Sequence, residues 1–289
     1  MHYSVLKAEA SELLSIKPDG VIADLTTGMG GHTAEIASRL STGFVIACDR
    51  DRESLEIARQ NTERYADRIR FHWAPFSEFP AVLKAEGIER VDGLLADLGV
   101  SFYQLTTAER GFSISADGPL DMRLDQTGGM TAADLLNHSD EKTLADLIYQ
   151  FGDERRARKL ARAISRARPI RSTSHLASVV ERAVPRLGKL HPATKVFMAL
   201  RIAVNGEFEE LDGLLAMAPS VVKPGGRVVM ISFHSGEDRR VKDAFRELAR
   251  QGRATLLTKK PLTASERELE ENPPSRSAKL RAIELLPVN

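Results

Sequence analysis

The sequence predicts an α/β fold, a parallel-sheet domain with an all-helical domain inserted into it. Three observations predict it. Short, nearly continuous apolar runs alternate with helical patterns over the first hundred residues, as in a parallel sheet covered on both faces. A glycine-rich loop joins the first of these runs to its helix. Residues 98–226 then separate the fourth apolar run from the fifth, where a crossover needs only about a dozen residues.

Each element follows in order. VIADL (21–25) comes after the turn signal KPDG and forms the first strand; 34–40 has helical spacing. FVIACD (44–49) is the second strand, SLEIA (54–58) a helix, IRFHW (69–73) the third strand and VDGLLAD (91–97) the fourth. The insert is periodic at helical spacing over 144–151, 155–168, 176–184 and 194–204. RVVMISF (227–233), set up by the turn KPGG, is the fifth strand. A charged helix at 237–251, a strand at 254–258 and a last strand within 279–286 follow, with a Pro- and charge-rich loop over 259–275. The expected domains are 1–105 with 211–289, discontinuous, and a helical insertion over 106–210.

Composition excludes several classes. The 289 residues are 42% hydrophobic and 28% charged, which rules out a wholly disordered or fibrous chain. No run approaches a membrane span, and the first residues lack a basic region followed by an apolar core, so neither a span nor a secretory signal is expected. A single cysteine, Cys48, rules out an internal disulfide framework and suits a reducing cytoplasm. There is no G-x-S-x-G elbow and no G-x-x-x-x-G-K-[ST] loop, and no second His sits at metal-ligand spacing from His234. Hydrolase, P-loop and zinc chemistry therefore lack support, and no metal is expected.

The loop DLTTGMGGH (24–32) has the composition of a nucleoside-ligand site. Its glycines let a ligand approach the backbone, and the helix behind it offers unpaired N–H groups. Asp49 ends the second strand, where an acid can accept from both hydroxyls of a ribose. A dinucleotide fingerprint wants a third glycine where this chain has Thr33. Asp24 would repel a pyrophosphate and attract the ammonium of a methionine moiety, so S-adenosylmethionine is favoured over NAD. Asp97 ends the fourth strand, with Gln104 just beyond, and belongs to the same crevice or else caps a helix.

The formal charge, 41 Lys+Arg against 40 Asp+Glu, is +1, and as an average it argues against a nucleic-acid partner. Its distribution argues otherwise. Residues 155–171 contain Arg155, Arg156, Arg158, Lys159, Arg162, Arg166, Arg168 and Arg171 and no acid. On a helix, Arg155, Lys159, Arg162 and Arg166 form one stripe and Ala157, Leu160, Ala161 and Ile164 another. Such a stripe either offers guanidinium groups to phosphates or is simply a solvated face. Further basic residues, Arg239, Arg240, Lys242, Arg276, Lys279 and Arg281, would extend it toward a polyanionic substrate.

Several segments together resemble the bacterial 16S rRNA cytosine-N4 methyltransferases, the ribosomal RNA small subunit methyltransferase H family. They are HYSVL (2–6), TGMGGH (27–32), LADLGVS (95–101), RGFS (110–113), GPLDMR (118–123), HPAT (191–194), ALRI (199–202) with Val204-Asn205, ISFHS (231–235) with Glu237-Asp238-Arg239, and SRSAKLR (275–281). The chain departs from the family pattern at Phe102, Met198 and Gly236. The resemblance implies a class I (Rossmann-like) methyltransferase domain with a helical insertion, an S-adenosylmethionine-dependent enzyme that methylates N4 of a cytidine in the decoding region of 16S rRNA, within the 30S subunit. Carried over by motif, the cofactor contacts are Gly30, Gly31, His32, Asp49, Phe76, Asp97 and Gln104, with Phe76 set to lie against the adenine. Arg155, Lys159, Arg162, Arg166, His234, Arg239 and Arg276 are the candidate RNA contacts, and a homodimer through the insert is compatible with the pattern.

The cytosine amine is a poor nucleophile, because its lone pair is delocalised into the ring. It needs alignment and a hydrogen-bond acceptor. Asp97, or a carbonyl of the Leu98–Gly99 turn, is the candidate acceptor. The Pro-Pro-aromatic motif of DNA amino-methyltransferases is absent, and DLGV (97–100) is its positional counterpart. The target base must also be unstacked, and Phe102, Tyr103, Phe112 and His234 are candidates to stack on it. Two other readings compete: a noncatalytic RNA-binding ribosome-assembly module, and an NAD-dependent oxidoreductase.

Overall fold

The computed structural model describes residues 4–186, 188 and 191–287; His2 and Tyr3 of the first resembling segment lie outside them. The chain divides into two compact units, one of residues up to Gly99 with those from Phe208 on, the other Val100–Glu207. Both joins fall a few residues before those expected. The first comes early because the chain leaves the sheet just past Asp97, and Val100 packs in the core of the helices. The second comes early because Leu211 packs in the core of the sheet.

The first unit begins with α1 (Lys7–Leu14), β1 (Val21–Asp24), α2 (Gly31–Arg39), β2 (Phe44–Asp49), α3 (Arg52–Asn61), β3 (Ile69–Trp73), α4 (Phe79–Ala85) and β4 (Val91–Asp97). The second holds α5 (Phe102–Thr106), α6 (Ala132–His138), α7 (Glu141–Gly152), α8 (Ala157–Arg166), α9 (Thr173–Ala183) and α10 (Thr194–Asn205). The chain then returns through α11 (Glu207–Val221), β5 (Val222–Ser232), α12 (Ser235–Arg250), β6 (Ala254–Leu256), α13 (Glu266–Glu271) and β7 (Lys279–Leu285).

The sheet order is β3-β2-β1-β4-β5-β7-β6, with β1 to β5 parallel to their neighbours and β7 antiparallel to both β5 and β6. Strand order reverses between β1 and β4. In open parallel sheets the crevice beyond the carboxyl ends at such a reversal is where ligands bind. Successive residues feed opposite layers, as the pleat requires. Leu94 and Ala96 pack with α11 and α12 residues such as Leu214 and Phe245. Leu95 packs with Ile36 of α2 and Leu14 of α1. All three β4 residues are completely buried, and truncating the leucines to Ala would cost about 2–5 kcal/mol each.

Several elements differ from the sequence expectation. KPGG (223–226) is not a turn ahead of β5; it lies within the strand, where the register against β4 shifts between Val91 and Gly93. The charged loop over 259–275 contains α13, capped by Ser265, whose hydroxyl accepts from Glu268 N–H. Glu268 in turn accepts from Leu6 N–H at 2.7 Å, a long-range bond that no local pattern announces.

Among the described residues the second unit contains helices and loops and no strand. Its core joins Leu144 and Ile148 of α7, Leu160 and Ile164 of α8, Val180 of α9 and Leu200 of α10. The segment GPLDMR is held by side chains rather than by regular structure. Asn205 accepts from Leu124 N–H at 2.8 Å and donates to Met122 O at 2.7 Å. Buried Arg110 donates to Arg123 O and Leu124 O.

α8 is shorter than the expected 155–168 and leaves Arg155 ahead of its first turn. Glu154 accepts from Arg156 N–H and Nε, both at 2.9 Å, which holds the chain in a turn there. Arg168 precedes Pro169, and a residue before proline is disfavoured in helix.

Candidate active site

The first unit gathers its polar side chains at the carboxyl ends of β1, β2 and β4. Asp24 closes β1 and is completely buried. One carboxylate oxygen accepts from Thr26 N–H at 3.2 Å and the other from the Thr33 hydroxyl at 2.6 Å. Burial pushes the Asp24 pKa up, against the opposing pull of His32 and of these hydrogen bonds. The sequence reading that Asp24 meets a ligand ammonium therefore needs correction. Its oxygens face inward and hold the loop, and Thr33 supplies the hydroxyl that a third glycine could not.

The loop is latched to β2 as well. Thr27 donates from both its N–H and its hydroxyl to Cys48 O, each at 3.0 Å. Gly28 N–H donates to Asp49 Oδ2 at 2.7 Å, and Asp51 N–H donates to Oδ1 at 2.8 Å. Burial, reinforced by the charges of Asp51 and Asp24, raises the Asp49 pKa to about 7 despite those two donors. Asp49 is thus a half-ionised acceptor at neutral pH, with lone pairs to spare for a donor such as a sugar hydroxyl.

Gly30 and Gly31 are fixed by protein neighbours as much as by any ligand. Gly30 has φ of 87°, and a Cβ there would lie 2.8 Å from Thr62 Cγ2. A Cβ on Gly31 would lie 2.0 Å from Ser4 Oγ. The next residue, His32, is buried in the first turn of α2, with Nε2 3.5 Å from Asp97 Oδ2. Asp97 N–H donates to the Thr26 hydroxyl at 2.6 Å, which ties the end of β4 to the β1 loop.

Phe76 opens a 3-10 turn after β3 and is half-buried against the sheet core. That turn is anchored by Glu210 of α11, which accepts from Ser77 N–H at 3.0 Å and from its hydroxyl at 2.9 Å. Glu210 belongs to an acidic run whose sequence signal was only charge. Gln104 falls in the second unit, where it closes a capping box: its Oε1 accepts from Ser101 N–H at 2.8 Å, and its own N–H donates to Ser101 Oγ at 3.3 Å.

Of the candidate RNA contacts, Lys159, Arg162 and Arg166 are exposed on α8, and Arg155 is exposed just before it. Arg162 pairs with Glu141 at 3.3 Å. Arg156 is bound to Glu154, and Arg168 donates to Leu136 O and Ser139 O, so these two serve the fold. Arg239 and Arg276 are exposed in the first unit.

His234 is the N-cap of α12. Its Nδ1 accepts from Gly236 and Glu237 N–H groups at 3.2 and 3.4 Å, and its ring tilts against Phe208. Among the candidate stacking rings, Phe112 is buried in the helical core, whereas Phe102 is 44% exposed. Nearby charges that looked like surface also prove structural: Asp238 holds Arg281 at 2.7 Å and Lys279 at 3.3 Å.

Comparison with known proteins decides the family. Residues 1–286 match the model of the MraW methylase family. The chain belongs to that family. It is 62% identical to the ribosomal RNA small subunit methyltransferase H of Solibacter usitatus, over 99% of this chain and all of that one. The protein of the same name from Koribacter versatilis is 50% identical, over 97% of this chain and 93% of its own. TrmN from Thermus thermophilus, a solved structure, overlays with a TM-score of 0.46 at 16% identity, covering 97% of this chain and 48% of that one. Membership of the MraW methylase family makes the chain an S-adenosylmethionine-dependent methyltransferase and displaces the oxidoreductase reading. Among the described residues no helix is long and apolar enough to cross a membrane.

Proposed function

We propose that this MraW-family enzyme methylates the exocyclic N4 of a cytidine in the decoding region of 16S rRNA, in the cytoplasm and within or on the way to the 30S subunit. The observation that carries this reading is the end-to-end identity of 62% with a protein named ribosomal RNA small subunit methyltransferase H. The groups at the ends of β1, β2 and β4 have the chemistry it requires.

They fit S-adenosylmethionine. Asp49 would take the ribose hydroxyls, Phe76 would lie along the adenine, and the Gly30–Gly31–His32 turn would receive the rest of the cofactor. His32 Nε2 and Asp97 Oδ1 are buried polar atoms without a hydrogen-bond partner in the protein, as expected beside a polar ligand. The bound cofactor supplies a sulfonium methyl group, an electrophile with a good leaving group.

The protein's own contribution is then position and proton acceptance. Asp97 accepts a hydrogen bond from the N4 amine, which localises the nitrogen lone pair as the new bond forms. The stripe of Arg155, Lys159, Arg162 and Arg166, with Arg239 and Arg276, neutralises rRNA phosphates and holds the substrate by charge. The test is methyl transfer to 30S subunits that lack the modification, followed by nucleoside analysis. The expected product is N4-methylcytidine in 16S rRNA, and its absence would sink the reading.

A further inference from the structure

A buried histidine lies beside two acids of the sheet unit. His32 reaches from α2 toward Asp97 at the end of β4, with Asp24 of β1 as a second acidic neighbour. Its Nε2 is 3.5 Å from Asp97 Oδ2, longer than a hydrogen bond, and Nε2 has no other partner. Asp97 Oδ1 is also buried and without one. Two complementary groups, both short of partners and just out of reach of each other, are the arrangement expected of a pair that tightens only when substrate arrives.

We infer that His32 is a positioning residue for Asp97: its Nε2–H closes onto Oδ2 as the amine enters, orienting the carboxylate to accept an N4 hydrogen. This rests on the N4-methylation reading above. In the transfer, the amine lone pair forms the N–C bond while the C–S bonding pair leaves with sulfur. The nitrogen, now cationic, gives up one N–H proton to the Asp97 carboxylate, from which it passes to water. A cationic neighbour suits an acceptor that must remain a carboxylate in a partly buried crevice.

The surroundings supply that cation. Burial by itself would lower the His32 pKa, but the nearby Asp97 carboxylate, with the charge of Asp24, outweighs both burial and the opposing charge of Lys7 from α1. The net shift is upward, so the imidazolium persists above the ordinary histidine range and is lost as pH rises through the raised pKa. Methyl transfer in the wild-type enzyme accordingly falls on that alkaline limb.

Replacing His32 by Gln keeps a donor and removes the charge. With rates compared at saturating S-adenosylmethionine, so that any change in cofactor affinity is set aside, the expected result is a kcat lower by on the order of 10–100-fold and no alkaline limb. A purely structural or cofactor-holding histidine would instead raise the cofactor Kd and leave kcat and the pH profile as they were, which overturns the inference. The second readout needs no RNA. In the wild-type protein the His32 imidazole, followed by NMR, titrates above the usual range, and in Asp97→Asn its titration drops. An unmoved His32 titration in Asp97→Asn would show that the two are not coupled. Wild-type enzyme that makes no N4-methylcytidine defeats the substrate reading alone, and the NMR coupling then decides the pairing by itself.

Discussion

Asp24, Asp49 and Asp97 of the sheet unit sit at strand ends and take their partners from the loop and helix beside them. The helical unit uses its acids differently: Asp134 and Asp140 close the first turns of α6 and α7, while the basic side chains of α8 stand in solvent. Burial makes the first set sensitive to single atoms, because a lost partner leaves a polar group stranded. Exposure makes the second set collective, because each charge is screened and only the sum attracts a polyanion. Turnover should therefore depend on individual residues of the sheet unit, and RNA affinity on several residues of the helical unit at once.

The largest effect that follows is at Asp97. Asp97→Asn should lower single-turnover methyl transfer by about 10²–10⁴-fold, the usual range for an acid–base group, with RNA affinity unchanged in a filter-binding assay. A variant that loses RNA affinity and keeps its rate would erase the division of labour. Next comes the stripe. Changing Lys159, Arg162 and Arg166 together to Gln should weaken rRNA binding by about 10–100-fold and flatten its salt dependence by roughly 2 to 3 units of slope. Calorimetric titration should show cofactor binding unaltered. Each single change should be several times milder, and a single change as severe as the triple one would count against collective attraction.

A smaller effect concerns stability. Thr33→Val removes the hydroxyl that donates to buried Asp24, and denaturant unfolding should show a loss of about 1–3 kcal/mol. The smallest is a pH dependence. Asp49 is raised to about 7 by burial, so it ionises as pH climbs through that value, and only the carboxylate is a pure acceptor for ribose hydroxyls. S-adenosylmethionine should bind up to about tenfold more tightly at pH 8 than at pH 6. Asp49→Asn should abolish that trend.

How much could be read in advance follows the same contrast. Strands β2, β3 and β4 coincide with the runs that announced them; β2 and β4 are buried over most of their length, and a strand covered on both faces must be largely apolar. Helix α11 carries an apolar period in Phe208, Leu211, Leu214, Leu215 and Ala218, although no element was expected there. Helix α13 buries no residue, so no apolar period announced it; its local signal was the Ser265 cap alone. The site shows the same limit. The positions of Asp49 and Asp97 followed from the strands they end, whereas the inward turn of Asp24 toward Thr33 depends on side-chain direction, which spacing does not record. Lys159, Arg162 and Arg166 are exposed on α8, but the pairing of Arg156 with Glu154 and of Arg168 with two carbonyls commits two of the eight cations of residues 155–171 to the fold.

Gly236 carries a consequence for anyone exchanging segments between relatives. A Cβ at this position would lie 2.7 Å from Phe208 Cζ, so the ring occupies the volume that a side chain would need. The same ring carries the Arg240 guanidinium 3.7 Å from its centroid. A side chain at 236 therefore requires the Phe208 ring to turn aside, and the Arg240 guanidinium over it to follow, so these three positions are best exchanged together.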